Sequence, residues 1–166
     1  ESHLKPKPMI EIGEMPILWH IMKYYSSYGF HEFIILAGYK QYLIKEYFAN
    51  YFLHNADVTF DMSNNQMEVH QNASENWKVT VVDTGLRTMT GGRIRRVRSY
   101  LKGERFMLTY GDGVSDVDLR KLLAFHESAG KTATITTVNL AQQKGVLDLS
   151  SDGRIRAFRE KEESDG

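Results

Sequence analysis

Cysteine is absent from this chain of 166 residues, so disulfides and thiolate metal sites are excluded and a reducing compartment is compatible. Lysine plus arginine and aspartate plus glutamate number 21 each, leaving a net charge of zero. No broad basic field is therefore available to neutralise a nucleic-acid backbone. No apolar run approaches the ~20 residues of a membrane span, and the opening Glu1-Ser2-His3-Leu4-Lys5-Pro6 has no signal-peptide apolar core. His20, His31, His54, His70 and His126 lack metal-ligand spacing and read as structural. No strand-linked Gly-x-Gly-x-x-Gly is visible, which argues against a nicotinamide cofactor. Repeats, linkers and low-complexity tracts are missing as well. What remains is a cytoplasmic protein that handles small ligands, with neither nucleic acid nor membrane as partner.

At 42% hydrophobic content the chain can bury one full core, and residues 1–166 read as a single domain. Short apolar runs alternate with segments of helical period, which predicts an α/β fold with a mostly parallel sheet covered by helices. Pro16 opens a first helix, Ile17, Leu18, Ile21, Met22, Tyr25 and Tyr28 form its inner stripe, and Gly29 stops it. Phe33–Leu36 is a buried strand. Leu43, Ile44, Tyr47, Phe48, Tyr51 and Phe52 then mark a second helix with an aromatic inner face. Val58–Phe60 and Met67–Val69 flank Asn64-Asn65 as a hairpin or as two adjacent strands. Val79–Val82 is a strand, Arg93 opens a third helix, and further strands are expected at Phe106–Leu108 and Thr132–Val138. A helix carrying Leu119, Leu122, Leu123 and Phe125 stops at Gly130, and Val146–Leu149 with Ile155–Phe158 closes as a hairpin.

Three segments carry candidate chemistry. In Phe106-Met107-Leu108-Thr109-Tyr110-Gly111-Asp112-Gly113 an apolar run stops at an acid between glycines. Such a carboxylate is placed to hold a divalent cation against a phosphate chain, although the same residues also serve an ordinary strand-closing turn. In Lys5-Pro6-Lys7-Pro8-Met9 the two prolines stiffen the backbone and present Lys7 to a phosphate, or else form a solvated extended entry to the fold. Thr88-Met89-Thr90-Gly91-Gly92-Arg93 offers backbone N–H groups and a guanidinium fork to an anion or a base edge, or is a flexible loop before a solvated arginine. Right-handed crossovers would gather Gly38-Tyr39, Thr84–Arg93 and Tyr110–Asp112 at one sheet edge. The exposed aromatics Tyr24, Tyr39 and Tyr42 would serve that crevice or a subunit contact.

Several of these stretches occur together and in order. Leu4–Gly13, Pro16–Met22, Gly38-Tyr39-Lys40, Lys45–Phe48, Val82–Gly85, Met89–Arg93, Thr109–Gly113 and Phe158-Arg159-Glu160-Lys161 resemble the glucose-1-phosphate cytidylyltransferases, within the nucleotide-diphospho-sugar transferases. The resemblance runs through the chain and is weakest at Gln71–Asn76 and Asn139–Lys144. It implies a Rossmann-like fold with helices on both faces of the sheet. The implied reaction joins CTP and α-D-glucose 1-phosphate into CDP-glucose and pyrophosphate, for bacterial surface-polysaccharide synthesis of the lipopolysaccharide O-antigen kind, by a Mg²⁺-dependent homo-oligomer. By motif position, Lys7 would contact phosphates, Asp112 would bind Mg²⁺, Gly111 would admit the ligand, and Thr88, Gly91 and Arg93 would hold the nucleotide, with Tyr110 lining the crevice.

The resemblance also has gaps. The family's Gly-Gly-x-Gly-Thr-Arg loop, its first strand and its C-terminal part with a second metal-binding aspartate have no counterpart in these residues. The chain is thus expected to be the central part of such an enzyme, with little activity by itself. A transferase using another nucleoside triphosphate, and a non-catalytic sugar-nucleotide-binding domain, are the alternatives.

Overall fold

The computed structural model describes residues 5–70, 75–138 and 146–159. The chain divides into two compact units, Glu1–Lys121 and Leu122–Gly166.

In the first unit, Pro6 in extended geometry leads into a single 3₁₀ turn, Lys7–Met9. Two short strands, β1 (Glu11–Ile12) and β2 (Met15–Pro16), pair antiparallel around Gly13, whose φ of +67° favours glycine. Pro16, with φ fixed at −59°, delivers the chain into helix α1 (Ile17–Ser27), which buries the predicted Leu18, Ile21 and Met22. Gly29 ends the helix in a left-handed conformation, its N–H donating to Ser26 O at 2.9 Å. Strand β3 (Glu32–Ala37) follows, then a turn through left-handed Lys40 into α2 (Gln41–Ala49) and α3 (Tyr51–Asn55).

A polar hairpin, β4 (Asp57–Asp61) with β5 (Gln66–His70), resolves the two possibilities left by the sequence in favour of direct antiparallel pairing. Strand β6 (Lys78–Asp83) then returns parallel to β3, in unbroken register from Glu32↔Lys78 to Ala37↔Asp83. Between this parallel pair and the helices lies a core of Met9, Leu18, Met22, Ala37 and Ile44, walled by Phe33, Ile35, Tyr47, Phe48, Trp77, Val79 and Val81. Each large apolar side chain buried there contributes about 1.5–3 kcal/mol. The aromatic inner face expected of the second helix is present, and Trp19 Nε1 donates to Tyr51 OH at 2.9 Å beside it.

The third helix begins earlier than the sequence indicated. Helix α4 (Thr90–Arg96) takes Gly91 and Gly92 into its first turn, and α5 (Arg98–Leu101) continues it past the buried Val97. The strand expected at Phe106–Leu108 does not form: no ladder includes this run, and Phe106 and Leu108 are exposed. The run at Thr132–Val138 is likewise non-helical and unpaired. Side-chain pattern equips a segment for a sheet, but a strand exists only where a second backbone supplies hydrogen bonds, and none does so among the described residues.

Segment 109–117 is instead tied to α1. The Tyr24 hydroxyl donates to Val117 O, and the Tyr25 hydroxyl hydrogen-bonds Thr109. Tyr24 is therefore not the free surface aromatic expected, whereas Tyr39 and Tyr42 are exposed. Helix α6 (Leu119–Ala129) starts under Asp118, whose Oδ1 accepts from the N–H groups of Arg120 and Lys121 at 3.0 and 3.1 Å. In the second unit, β7 (Val146–Leu149) and β8 (Ile155–Arg159) form the predicted closing hairpin around Gly153, at φ +76°.

The β4–β5 turn hangs on one carboxylate. Asp61 accepts from the Ser63 and Asn64 N–H groups at 2.9 and 3.2 Å and from Asn64 Nδ2 at 2.7 Å, with the Ser63 hydroxyl adding a further bond. These donors, the Ser63 hydroxyl foremost, lower its pKa from 3.8 to about 2. Because the folded value lies below the unfolded one, this contribution is complete above 3.8 and disappears as pH falls through about 2. Amide protection factors of Ser63 and Asn64 should hold at neutral pH and collapse across that window, and Asp61→Asn should lower them already at pH 7. Protection that is flat down to the acid limit would reject this role for Asp61.

Candidate functional site

The parallel pair sets two loops side by side at the C-terminal ends of its strands. Thr84, the first residue after β6, is fully buried, and its N–H and hydroxyl both donate to Ala37 O, at 2.9 and 2.8 Å. Arg93 Nη1 donates to the Thr84 hydroxyl at 2.6 Å and to Ala37 O at 3.2 Å, while Nη2 reaches Leu86 O at 3.4 Å. Arg96 adds a bond to Thr84 O from the next turn of α4. The predicted nucleotide-loop arginine is thus not a loosely solvated side chain. It is locked across two strand ends, and of its five N–H donors the three counted here leave two for a ligand.

Two glycines make this latch possible. A Cβ on Gly38 would stand 2.7 and 2.8 Å from the Arg93 terminal nitrogens and 3.1 Å from Gly85 O. Gly85 adopts φ +85°, and a Cβ there would meet Arg96 Nη1 at 2.5 Å and Thr88 Oγ1 at 2.9 Å. Thr88 is half-buried over Gly85 and Gly92, as the tight contacts a Cβ would make with it from both sides indicate. Gly91 faces open space on the first turn of α4. Beside them Asp83 accepts from the Gly85 N–H at 2.8 Å, and that bond, with a second from Gln41, lowers its pKa.

A second group is assembled at the proline-stiffened entry. Pro8 packs on the face of Gly111, where an added Cβ would come within 3.0 Å of its Cγ. Gly111 therefore admits Pro8, a role the sequence had reserved for a ligand. With Pro8 seated, Lys7 Nζ lies 3.9 Å from Asp112 Oδ2. The lysine side chain is 71% and the carboxylate 39% exposed. An open pair at that separation adds only about 0–1 kcal/mol to stability, so both head groups are available to a phosphate chain and its counter-ion. Tyr110, which precedes Gly111, is 70% exposed. On the other side of Asp112, Gly113 and Ser115 line a pocket of about 310 Å³ with His20, Tyr24, Tyr25 and Thr109.

The expected residues therefore fall into two clusters, Lys7 with Gly111 and Asp112, and Thr88 with Arg93. A common core joins their supports: Met9, two residues after Lys7, and Ala37, whose carbonyl receives Arg93, belong to the same buried cluster. Sequence reasoning placed Gly38 and Thr84 at the sheet edge without their part in the latch, and missed Arg96. The signal for Thr84 was a hydroxyl immediately after an apolar strand, at the point where the backbone leaves the ladder. His20, His31, His70 and His126 each hold one hydrogen bond, with Ile12 O, Ser26, Thr59 and Thr134. The His54 side chain lies outside the described residues. Among the described residues, no cluster of three or more His, Asp or Glu is arranged to hold a metal.

The model of the Nucleotidyl transferase family matches residues 2–165, and the chain belongs to that family. Within it, the chain is 55% identical over 167 aligned residues to the glucose-1-phosphate cytidylyltransferase of Salmonella typhi, covering 100% of this chain and 65% of that protein. It is 44% identical over 161 residues to the probable glucose-1-phosphate cytidylyltransferase of Bacillus subtilis, covering 97% and 63%. A D-glycero-alpha-D-manno-heptose 1-phosphate guanylyltransferase from Aneurinibacillus thermoaerophilus is 27% identical over 158 residues, covering 94% and 59%. The chain thus spans less than two thirds of these relatives' length. Among solved structures, HddC from Yersinia pseudotuberculosis, complexed with GMP-PN, superposes with a TM-score of 0.64 at 21% identity, over 95% of this chain and 60% of that one. The expected α/β nucleotidyltransferase architecture is the one observed. No helix among the described residues is long and apolar enough to cross a membrane.

The latch gives a direct test. Thr84→Val keeps the volume but removes the hydroxyl, leaving Arg93 without its shortest acceptor at a buried position. A loss of about 1–3 kcal/mol in chemical denaturation is expected, the size of one unsatisfied buried polar group. Thr84→Ser, which retains the hydroxyl, should lose less than half as much, and equal losses would disprove the latch.

Proposed function

We propose that this chain is the nucleotide-handling part of an enzyme that joins CTP and α-D-glucose 1-phosphate into CDP-glucose and pyrophosphate. The identity of 55% along the whole chain to a protein of that name supports the choice of substrates. The observation that carries the chemistry is the approach of Lys7 to Asp112, both open to solvent, enforced by Pro8 against Gly111. Here an amine and a carboxylate are fixed within reach of one phosphate chain.

In this reading, a phosphate oxygen of the sugar phosphate attacks the α-phosphorus of CTP in line. The new P–O bond forms as the α–β bridging bond breaks, and pyrophosphate leaves with that electron pair. No protein nucleophile is required, so catalysis consists of alignment and charge neutralisation. Lys7 neutralises phosphate oxygens, and its position is preset by the flanking prolines. Arg93, held by Ala37, Thr84 and Leu86, presents its remaining donors to the nucleotide, with Thr88 and the Gly91 backbone beside it. Tyr110 borders the crevice.

Asp112 fits Mg²⁺, which characteristically takes one or two carboxylates and completes its shell with water and substrate phosphates. One exposed carboxylate beside a phosphate-binding lysine is such a donor set. The ion would supply charge neutralisation across the phosphates. A cytoplasmic homo-oligomer serving bacterial surface-polysaccharide synthesis is part of the same proposal.

The test is a Mg²⁺-dependent pyrophosphate-release assay on the intact protein with CTP, UTP and dTTP in competition. CTP should be preferred, and Lys7→Ala and Asp112→Asn should each lower kcat by about 10²–10³-fold, the size of one lost transition-state contact. Unchanged turnover in Asp112→Asn would remove the metal assignment, and preference for another nucleotide would replace CTP.

A further inference from the structure

The arginines that follow the latch are a feature the transfer reaction does not absorb. Between Arg93 and Arg105 the sequence carries six cationic residues and one acid, Glu104, in a chain of zero net charge. Two of the six are engaged by the fold, since Arg93 and Arg96 donate to Ala37 O, Thr84 and Leu86 O, Arg96 from the wall of a groove along α4–α5. Arg95, Arg98 and Lys102 are exposed and line this shallow groove of about 820 Å³, together with Arg96 and the single acid Glu104, walled by Leu101 and Phe106. None of these three forms an ion pair among the described residues. Arg95 lies in the last turn of α4, Arg98 opens α5 and Lys102 follows it in a left-handed conformation, and the groove brings the three together.

Four cations against the single acid Glu104 leave the groove with a positive excess, which raises the electrostatic energy of the cluster, a cost relieved when an anion spans it. The backbone beneath them is fixed, because Arg93 and Arg96 bolt α4 to the strand ends and Val97 is only 2% exposed between the two helices. The concavity has room for a chain of phosphates, and Arg95 and Arg98 offer planar forks suited to them. Phe106, 51% exposed, gives the wall a ring face on which a base can stack.

We propose that the α4–α5 groove is a second anion site, separate from Lys7 and Asp112, that takes a polyphosphate chain, either free or borne by a nucleoside. The site does not depend on the transfer reaction proposed above, because its residues are distinct and its test is binding.

The experiment is calorimetric titration of the full chain carrying Lys7→Ala and Asp112→Asn with inorganic tripolyphosphate, without divalent metal, at low and at physiological ionic strength. One equivalent should bind, more weakly as salt rises. Adding Arg95→Ala and Arg98→Ala should weaken binding by about tenfold or more, the loss of two charge-assisted contacts, with the circular dichroism spectrum unchanged. Replacing Lys121 and Lys131 instead should have little effect. No binding in the Lys7/Asp112 variant, or equal losses from the two pairs of replacements, would overturn the site. ATP in a parallel titration separates the sources: tighter binding that Phe106→Ala erases marks a nucleoside-borne chain, and affinities equal to tripolyphosphate mark a free one.

Discussion

The carbonyl of Ala37 is the point on which the architecture turns. It terminates β3 and accepts from the Thr84 backbone, the Thr84 hydroxyl and Arg93. A strand end exposes backbone groups that the ladder no longer satisfies, and here they are satisfied by the loop and helix that follow the neighbouring strand. The six-residue parallel register, the direction of the Thr84–Met89 loop and the placement of α4 are thereby coupled. Gly38 and Gly85 are bare for the same reason: any side chain there would collide with the guanidinium groups that close the arrangement.

The entry segment solves a complementary problem. Lysine is flexible and strongly hydrated, so a lone surface lysine is seldom held beside a chosen carboxylate. Pro6 and Pro8 reduce the freedom of the backbone beneath Lys7, and Met9 anchors it in the core at 7% exposure. The missing Cβ of Gly111 then lets Pro8 close down until amine and acid stand 3.9 Å apart. Stiff backbone, buried anchor and bare glycine together fix an open charge pair that its own electrostatics would hold only weakly.

Much of this was legible in the residues, and the exceptions have a common physical origin. The stripe of Leu18, Ile21 and Met22, the stop at Gly29, the β3 and β6 runs and the closing hairpin follow from periodicity and turn chemistry, which are local. The run through Phe106 and Leu108 was equally well patterned, yet its pairing depends on another backbone, which pattern does not contain. Lys7 and Asp112 were singled out from proline and glycine neighbours and do meet. Arg93 was identified by type and misjudged in environment, because its acceptors on Ala37 and Leu86 are main-chain oxygens that every residue possesses. Thr84 was placed at the sheet edge but not in its role, for the same reason, its hydroxyl being consumed by a carbonyl forty-seven positions earlier.

The division of labour among the cations follows from that geometry. A helix bolted by Arg93 and Arg96 holds those head groups against main-chain oxygens at the strand ends, and residues one or two positions away project differently. Fastening α4 to the strand ends therefore fixes the direction of Arg95 and Arg98, and the run of arginines resolves into fasteners and exposed charges. The fastening pair donates to neutral oxygens, and Arg96 also faces the Asp83 carboxylate, whose pKa the Gly85 N–H bond and, to a smaller extent, this guanidinium lower. An anion approaching α4–α5 thus meets the excess positive charge of the arginine run, with Arg95, Arg98 and Lys102 exposed beside Arg96 on the groove.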